Sequence, residues 1–526
     1  MPVSADHLIV DCSVRTLDPA RPYATAVAVT DGVVVALDHD ALALRSSSTQ
    51  VVDLAGATVT PGLVDGHLHP VLGATRFEGI DLSGCRHVDD LRSRLAGAEV
   101  SGDGWVRGHG LDHNVFAGRA TTNAVLDQAL PGVPVFIRLY DGHSALASSE
   151  ALRRAGVDGP REFATRSSIV CDDGRPTGHL LELDAMAVVA DVMPPMAREE
   201  QRARTLEVLQ AMAATGLTGG NVMDGEPQTL SLLAALEDSV DLPVRLRIAP
   251  WCRPGSDVDD LIALQGRGGR RWAVRAVKLF LDGTVEGGTA WLEEPDCHGQ
   301  SRDAYWRDPA EYTKAVQHLA TVGVQTCTHA IGDAAVRHVV DTLENVETHG
   351  VRHRVEHLET MPRGLVQRLV RTGLVASMQP SHAAYTRADH TDEWSQRLGD
   401  ERADRAWVCR EIRDAGGILV LGSDWPIADY DARAVLSYAR LRRPAGTDTP
   451  PVAPGQALTG LMALEGMTTH AALADGTSAF AGRIAVGNRA DLTAFAIDPV
   501  GAPADELATA PVRLTITAGS ITHRTS

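Results

Sequence analysis

The sequence predicts an α/β chain: a (β/α)8 TIM-like barrel, a composite β-sandwich from both termini, and an inserted subdomain after strand 1. Three observations predict it. Strand-like and helix-like stretches alternate through the middle of the chain, which implies a parallel sheet, and eight such units imply closure into a barrel. Strand-rich segments stand at both ends. Roughly 145 residues separate His69 from the next barrel strand at Leu217, too many for a loop without structure of its own.

In chain order, residues 1–57 read as short strands (Leu8–Cys12, Ala26–Val29, Val33–Leu37, Val51–Leu54) parted by turn formers such as Asp31-Gly32. They form the first part of the sandwich. Thr58–Val64 reads as the opening barrel strand, so the barrel takes residues 58–70 and 216–475. Residues 71–215 form the insertion over the barrel mouth, with a strand at Val133–Tyr140 and helical stretches at Ala151–Ala155 and Leu180–Val192. The remaining barrel strands are Leu217–Met223, Val244–Pro250, Val274–Leu281, Val324–His329, His353–His357, Leu374–Gln379 and Ile418–Asp424. Helices such as Glu199–Thr215, Ala334–Thr348 and Arg402–Ala415 fall between them. Residues 476–526 complete the sandwich with strands at Gly482–Gly487, Ala490–Ile497 and Val512–Ala518. An open doubly wound sheet is the alternative, but no GxGxxG follows an early strand.

Composition narrows the function. At 526 residues the chain is too long for one small core, and with aromatics at only 4% that core is mainly Ala, Val and Leu. A net charge of −19, with no basic cluster large enough to track phosphates, excludes nucleic acid as a partner and suits solubility. No signal peptide and no apolar run of spanning length are evident, so no membrane is expected. Seven scattered cysteines without a CxxC pair fit a reduced, cytoplasmic setting, and Cys327 reads as a buried small hydrophobe. The expected partner is a small-molecule substrate, and a homodimer is a candidate assembly.

His67 and His69 are two residues apart at the end of the opening strand, so both imidazoles face one side and can aim at one point. Barrel enzymes gather their chemistry at such strand ends. Lys278 lies inside the apolar run Ala276–Leu281. His329 ends strand five in Thr-His-Ala-Ile-Gly-Asp, His357 ends strand six in Arg-Val-Glu-His, and Asp424 ends strand eight in Gly-Ser-Asp-Trp-Pro. Any one of these has a plain structural explanation. Jointly, four histidines and an aspartate at four strand ends supply the N and O donors that Zn2+ or a similar divalent metal prefers.

These motifs, with Thr58-to-His69 (Thr-x-x-Pro-Gly-Leu-Val-Asp-Gly-His-x-His), the Lys278 strand running into Asp-Gly-Thr, and the closing Gly482–Leu492 signature, resemble the metal-dependent amidohydrolase superfamily. Within it they resemble the amidohydrolase family 3 branch, which includes N-substituted formamide deformylases. The resemblance implies the barrel and the composite sandwich. It also implies that His67, His69 and Asp424 bind the more buried metal and His329 and His357 a second. Lys278 would bridge the two as a CO2-derived carbamate; unmodified, it is consistent with one ion.

The implied reaction is attack of metal-activated hydroxide on a carbonyl of an amide, N-formyl or cyclic amide, with Asp424 taking the proton and passing it to the leaving nitrogen. His143, in Asp-Gly-His-Ser of the insertion, is expected to hydrogen-bond the carbonyl oxygen. Asp282, Gln379 and His382 are expected near the substrate, with His382 lining the pocket or supporting a ligand. Glu356, next to His357 on a strand, is expected to point the other way and be structural. Trp105, Phe116 and Tyr140 would favour an aromatic or apolar substituent. An esterase or deaminase using the same metals, or a catalytically silent binding barrel, are the alternatives. A serine nucleophile lacks its Gly-x-Ser-x-Gly elbow.

Overall fold

The computed structural model describes residues 4–525 and shows a mixed α/β chain. Both termini feed one sheet. From the N-terminal side come His7–Arg15, Val27–Thr30, Val33–Leu37 and Gln50–Pro61; from the C-terminal side come Leu492–Phe495, Val512–Thr517 and Ser520–Arg524. The two sides join where Thr58–Pro61 runs antiparallel to Leu492–Phe495.

That pairing corrects the reading of Thr58–Val64 as a single strand. The stretch is divided at Gly62 between two sheets. Thr58–Pro61 belongs to the terminal sheet, and Leu63–Leu68 opens the parallel region. Gly62 donates its N–H to Asp491 O at 2.7 Å, and a Cβ there would sit 2.3 Å from Thr218 Oγ1, so no side chain fits where the sheets part. Gly482–Gly487 is likewise not a strand but a turn that hooks onto the sheet, Ile484 N to Thr16 O and Gly487 N to Val34 O, each at 2.9 Å.

Ten short strands make two parallel sheets. One holds, side by side, Leu63–Leu68, Leu217–Val222, Arg245–Ile248 and Trp272–Val274. The other holds Trp251–Cys252, Ala276–Phe280, Gln325–Ala330, Arg354–His357, Val375–Met378 and Leu419–Leu421. Backbone bonds link them on both sides: Arg275 N to Ile248 O (3.0 Å) and Lys278 N to Pro250 O (2.8 Å) on one, Asp424 N to His67 O (2.7 Å) and His69 N to Trp425 O (2.9 Å) on the other. Apolar residues of the strands and of the intervening helices pack into one large cluster.

The helices follow local chemistry. Asp308 caps Pro309–Thr321 by accepting from Ala310 N, with Pro at the first turn where its missing N–H costs nothing. The expected helix Arg402–Ala415 is two, Asp400–Ala403 and Cys409–Asp414. Trp407 interrupts it: its N–H donates to Glu359 O at 2.9 Å, and its buried ring stacks on Trp394 with centroids 5.0 Å apart.

The interval after His69 carries its own six-stranded sheet, running from Ser168–Asp172 through Arg175–Leu181, Ser144–Ala147, Val135–Leu139 and Val106–Leu111 to Ile80–Asp81. Its faces are both apolar. Val135, Ile137 and Leu139 enter one cluster and Phe136 the other, the alternation a two-sided buried strand requires. Among the described residues no helix is long and apolar enough to cross a membrane. Cys327 is buried and pairs in register with Lys278.

Candidate active site and metal centre

Strand order brings the distant motifs together at the C-terminal ends of the parallel strands. His67 and His69 project from one strand end, ring centroids 5.4 Å apart. The chain returning at Gly422 passes so close that a Cβ on it would meet His67 N at 2.6 Å. Two residues on, Asp424 adopts a left-handed backbone (φ 57) and donates its N–H to His67 O. Its carboxylate is thereby turned inward. Oδ1 lies 3.1 Å from His69 Nε2 and 3.4 Å from His67 Nε2; Oδ2 lies 3.9 Å from His357 Nδ1 and 3.7 Å from His382 Nε2.

His357 is also left-handed, with φ 78. Its ring centroid stands 4.8 Å from that of His67 and 4.4 Å from that of His329. The His329 Nε2 is 3.1 Å from Gly283 O, which can only accept, so that nitrogen carries the proton and Nδ1 keeps its lone pair. Lys278 is fully buried with Nζ 3.4 Å from His67 Nε2 and 5.1 Å from the Phe280 ring centroid.

Two further carboxylates stand against these histidines: Glu356, which the sequence placed as structural, and Asp224, which it did not single out. Glu356 Oε2 lies 2.8 Å from His67 Nδ1 and is itself gripped by Arg354, Nε to Oε1 at 2.8 Å and Nη2 to Oε2 at 3.2 Å. Alternation along a strand would point Glu356 away from the site, but the left-handed turn at His357 swings the next side chain back, so both neighbours reach His67. Asp224, just past Leu217–Val222, stands 3.5 Å from His69 Nδ1. An acid just past a strand end is the signal by which it could have been found.

The electrostatics of three of these histidines suit a cation; for His69, burial would lower the imidazole, but Asp224 and Asp424 outweigh it and raise it to about 9. Burial first, then neighbouring positive groups, hold His67, His329 and His357 well below the usual histidine range, so they stay neutral and able to ligate. Burial alone would raise the Asp424 carboxyl, but His67, His69 and His382 outweigh it and keep it ionised. Burial lowers the Lys278 ammonium to about 8.

The residues fit a divalent ion. Ligand atoms of His67, His69 and Asp424 lie within 4.8 Å of one another, as do those of His357, His382 and Asp424. Among the described residues, the buried Nδ1 of His357 and Nε2 of His382 have no hydrogen-bond partner. Buried polar atoms are rarely left this way unless something else satisfies them.

Around this cluster lies a cavity of about 1090 Å³, lined by His67, Lys278, His329, His357 and Asp424 on its floor and by insertion residues such as Phe136, His143 and Met186 above. A second compartment of about 30 Å³ adjoins it, bounded by Asp424, His357, His382, Glu286, Glu359 and Tyr385. His143 lines both. Its Nδ1 is 2.7 Å from Glu182 Oε2, and its ring centroid is 4.8 Å from that of His329. Glu182 in turn accepts from Thr289 Oγ1 at 2.6 Å, which ties the insertion to the loop after the Lys278 strand.

Other expected residues lie differently. Asp282 is fully buried and spends its carboxylate on Ile331 N, Gly332 N and Trp291 N at 2.8–3.0 Å, stapling three loop amides instead of facing the cavity. Gln379 is buried and lines neither compartment; both its amide atoms lack a partner among the described residues. Tyr140 reaches the small compartment, donating to Glu286 and stacking on Tyr385 at 3.7 Å. Trp105 and Phe116 are packed inside the insertion.

Known proteins resemble this chain over most of its length. A family model described as Amidohydrolase family matches residues 50–523. The chain is 26% identical over 519 residues to Protein LONG AFTER FAR-RED 3 of Arabidopsis thaliana, covering 93% of this chain and 87% of that one. It is 25% identical over 535 residues to the N-substituted formamide deformylase of Arthrobacter pascens, covering 95% of each. Its fold matches that of an uncharacterized metal-dependent hydrolase from Pyrococcus horikoshii OT3, with TM-score 0.73 at 21% identity, covering 95% of this chain and 99% of the other.

Proposed function

Because this chain belongs to the amidohydrolase family and is a hydrolase, we propose that it cleaves a non-peptide C–N bond of an amide, N-formyl or cyclic amide substrate at a divalent metal centre. The observation that carries the proposal is the Asp424 carboxylate, set within 3.1–3.9 Å of nitrogens of His67, His69, His357 and His382. The two parallel sheets then act as one closed (β/α)8 barrel, sealed by the Asp424–His67 and Arg275–Ile248 backbone bonds, with the site at its C-terminal mouth.

His67, His69 and Asp424 would hold one ion, probed best as Zn2+, and His329 and His357 a second. A bound ion supplies a lowered water pKa and polarisation of the carbonyl. As a carbamate Lys278 would supply oxygen donors to both ions: its neutral amine would add to CO2, forming a C–N bond as one C=O π bond opens and the nitrogen gives up a proton. Burial favours that neutral amine. Without the modification, one ion is held.

The chain's own groups do the rest. Asp424 accepts the proton of the attacking water and returns it to the leaving nitrogen. His143, held by Glu182, donates to the carbonyl oxygen as negative charge grows there. The unequal compartments suit a small acyl group toward the 30 Å³ side and a larger amine substituent in the 1090 Å³ side. A volume of that smaller size holds a water or two, so formyl fits best. The named deformylase relative supports the same class.

The test is a panel of N-formyl amines, acyl amides and lactams, with ester and aminopurine arms, on metal-reconstituted protein. Turnover of N-formyl amines that is lost in Asp424→Asn supports the reading. Turnover confined to esters or aminopurines rejects it.

A further inference from the structure

A second cavity, of about 500 Å³, lies at the opposite end of the parallel strands from the metal centre. It is lined by the starts of those strands (Val64, Thr218, Arg245, Trp272), while the catalytic groups occupy their ends. At about 3.3 Å per residue, Val64 and His69 are roughly 16 Å apart along one strand. The far wall is the segment 468–491, which includes the Gly482–Gly487 turn that the sequence suggested was a strand.

The lining is strongly positive in a protein whose net charge is −19. It includes Arg245, Arg247, Arg275, Arg483 and Arg489, against two acids, Asp475 and Asp491. Those two acids offset only part of the cluster. Arg245 pairs with Asp491 at 3.6 Å and Arg247 with Asp475 at 3.4 Å, Arg247 Nη2 donates to Gln325 Oε1 at 2.8 Å, and among the described residues the Nε of each arginine has no hydrogen-bond partner. Arg489 lies over the Phe480 ring at 4.5 Å instead of against a carboxylate. Among the described residues, the guanidiniums of Arg275 and Arg483 meet no carboxylate. Like charges held this close are costly unless an anion joins them.

We propose that this cavity is a binding site for a phosphate-bearing small molecule, separate from the metal centre. Guanidinium forks match phosphate oxygens two at a time, and several around one hollow favour a group with multiple acceptors and more than one charge. The volume exceeds a bare phosphate and falls in the range of small-molecule sites, so an organic portion fits beside the Phe480 ring. The arginines come from positions 245 to 489, far apart in the chain, so no basic run announces the site.

The proposal is tested by calorimetry on the metal-loaded chain with two probes, inorganic phosphate and AMP, at low salt. Because either probe can also meet bound metal, two variants locate the heat. The charge reversal Arg275→Glu sits on an exposed side chain away from the metal centre and is expected to leave the fold and the basal hydrolysis intact. His67→Ala disables the metal centre. The expected result is binding that weakens by about tenfold or more, ~1.4 kcal/mol, in Arg275→Glu, stays within about twofold of wild type in His67→Ala, and fades as salt screens the cluster. Binding untouched by Arg275→Glu, binding lost in His67→Ala alone, or no heat with either probe overturns the proposal.

Discussion

Glu356 Oε2 lies 2.8 Å from His67 Nδ1, and this pair sets which His67 nitrogen faces the site. A carboxylate there can only accept, so Nδ1 carries the proton and Nε2 presents its lone pair to a cation. Arg354 fixes the carboxylate and also reaches Gly66 O at 2.5 Å, linking the strand that carries Glu356 to the one that carries His67.

Glu356→Gln should therefore weaken metal binding by about 10- to 100-fold, with turnover recovering at saturating metal. Metal titration read by activity and by elemental analysis checks this. Unchanged affinity would show that the pair is packing alone. Glu356→Ala is the poorer probe, because it strands a buried Arg354 at a cost of about 3–5 kcal/mol.

Asp424→Asn removes a carboxylate that stands 3.1–3.9 Å from four imidazoles and keeps the shape. Turnover should fall by at least about 10²–10⁴, with a thermal midpoint near that of wild type. A variant that keeps full activity after purification would place the chemistry elsewhere.

How much of this could be read beforehand depended on where each residue sits relative to a strand end. His67, His69, His329, His357 and Asp424 lie at or just beyond predicted strands, so the rule that parallel strands expose their chemistry at one end picked them out together. Glu356 escaped because a left-handed backbone at His357 breaks the alternation used to place it. Glu182 escaped because it meets His143 only through the insertion's own sheet, pairing Ser144 with Leu181. The division at Gly62 was hidden because a strand leaving one sheet and entering the next looks continuous in hydropathy. Asp282 misled because a strand-end acid can serve loop amides as readily as a ligand.

Lys278→Ala should lose the second ion if the lysine is a bridging carbamate, and Lys278→Arg should not restore it, since a guanidinium cannot take up CO2. Elemental analysis gives the stoichiometry, and a ¹³CO2 carbamate signal in the wild type, absent from the variant, gives the chemistry. Unaltered metal content in Lys278→Ala would leave a one-ion site.

Acid should destabilise the fold through histidines buried as neutral acceptors. His353 Nδ1 accepts from Thr326 N at 3.1 Å, and burial lowers its pKa from 6.5 to about 4. Because the folded value is below the unfolded one, the unfolded chain binds the proton first as pH falls. The stability is therefore whole above pH 6.5 and drains away toward pH 4. The loss should be on the order of 1–3 kcal/mol. Urea midpoints at pH 7 and pH 4.5 should differ less in His353→Gln than in wild type, and an equal drop in both would acquit this residue.

His143 makes the sharpest separation between holding metal and stabilising charge. Among the described residues it makes no hydrogen bond to another candidate ligand, and Glu182 holds its Nδ1 at 2.7 Å, which leaves Nε2 as the nitrogen to turn toward a substrate. Burial would lower the imidazole, but Glu182 outweighs that and raises it, so a proton is available to donate near neutral pH. His143→Ala should cut kcat by about 10²–10³ while metal content stays at the wild-type level. Glu182→Gln should cut it less and shift the alkaline arm of the pH–rate profile to lower pH, because the neighbour that favours the imidazolium has lost its charge. A His143 variant that loses metal along with activity would instead make this residue part of the centre's support.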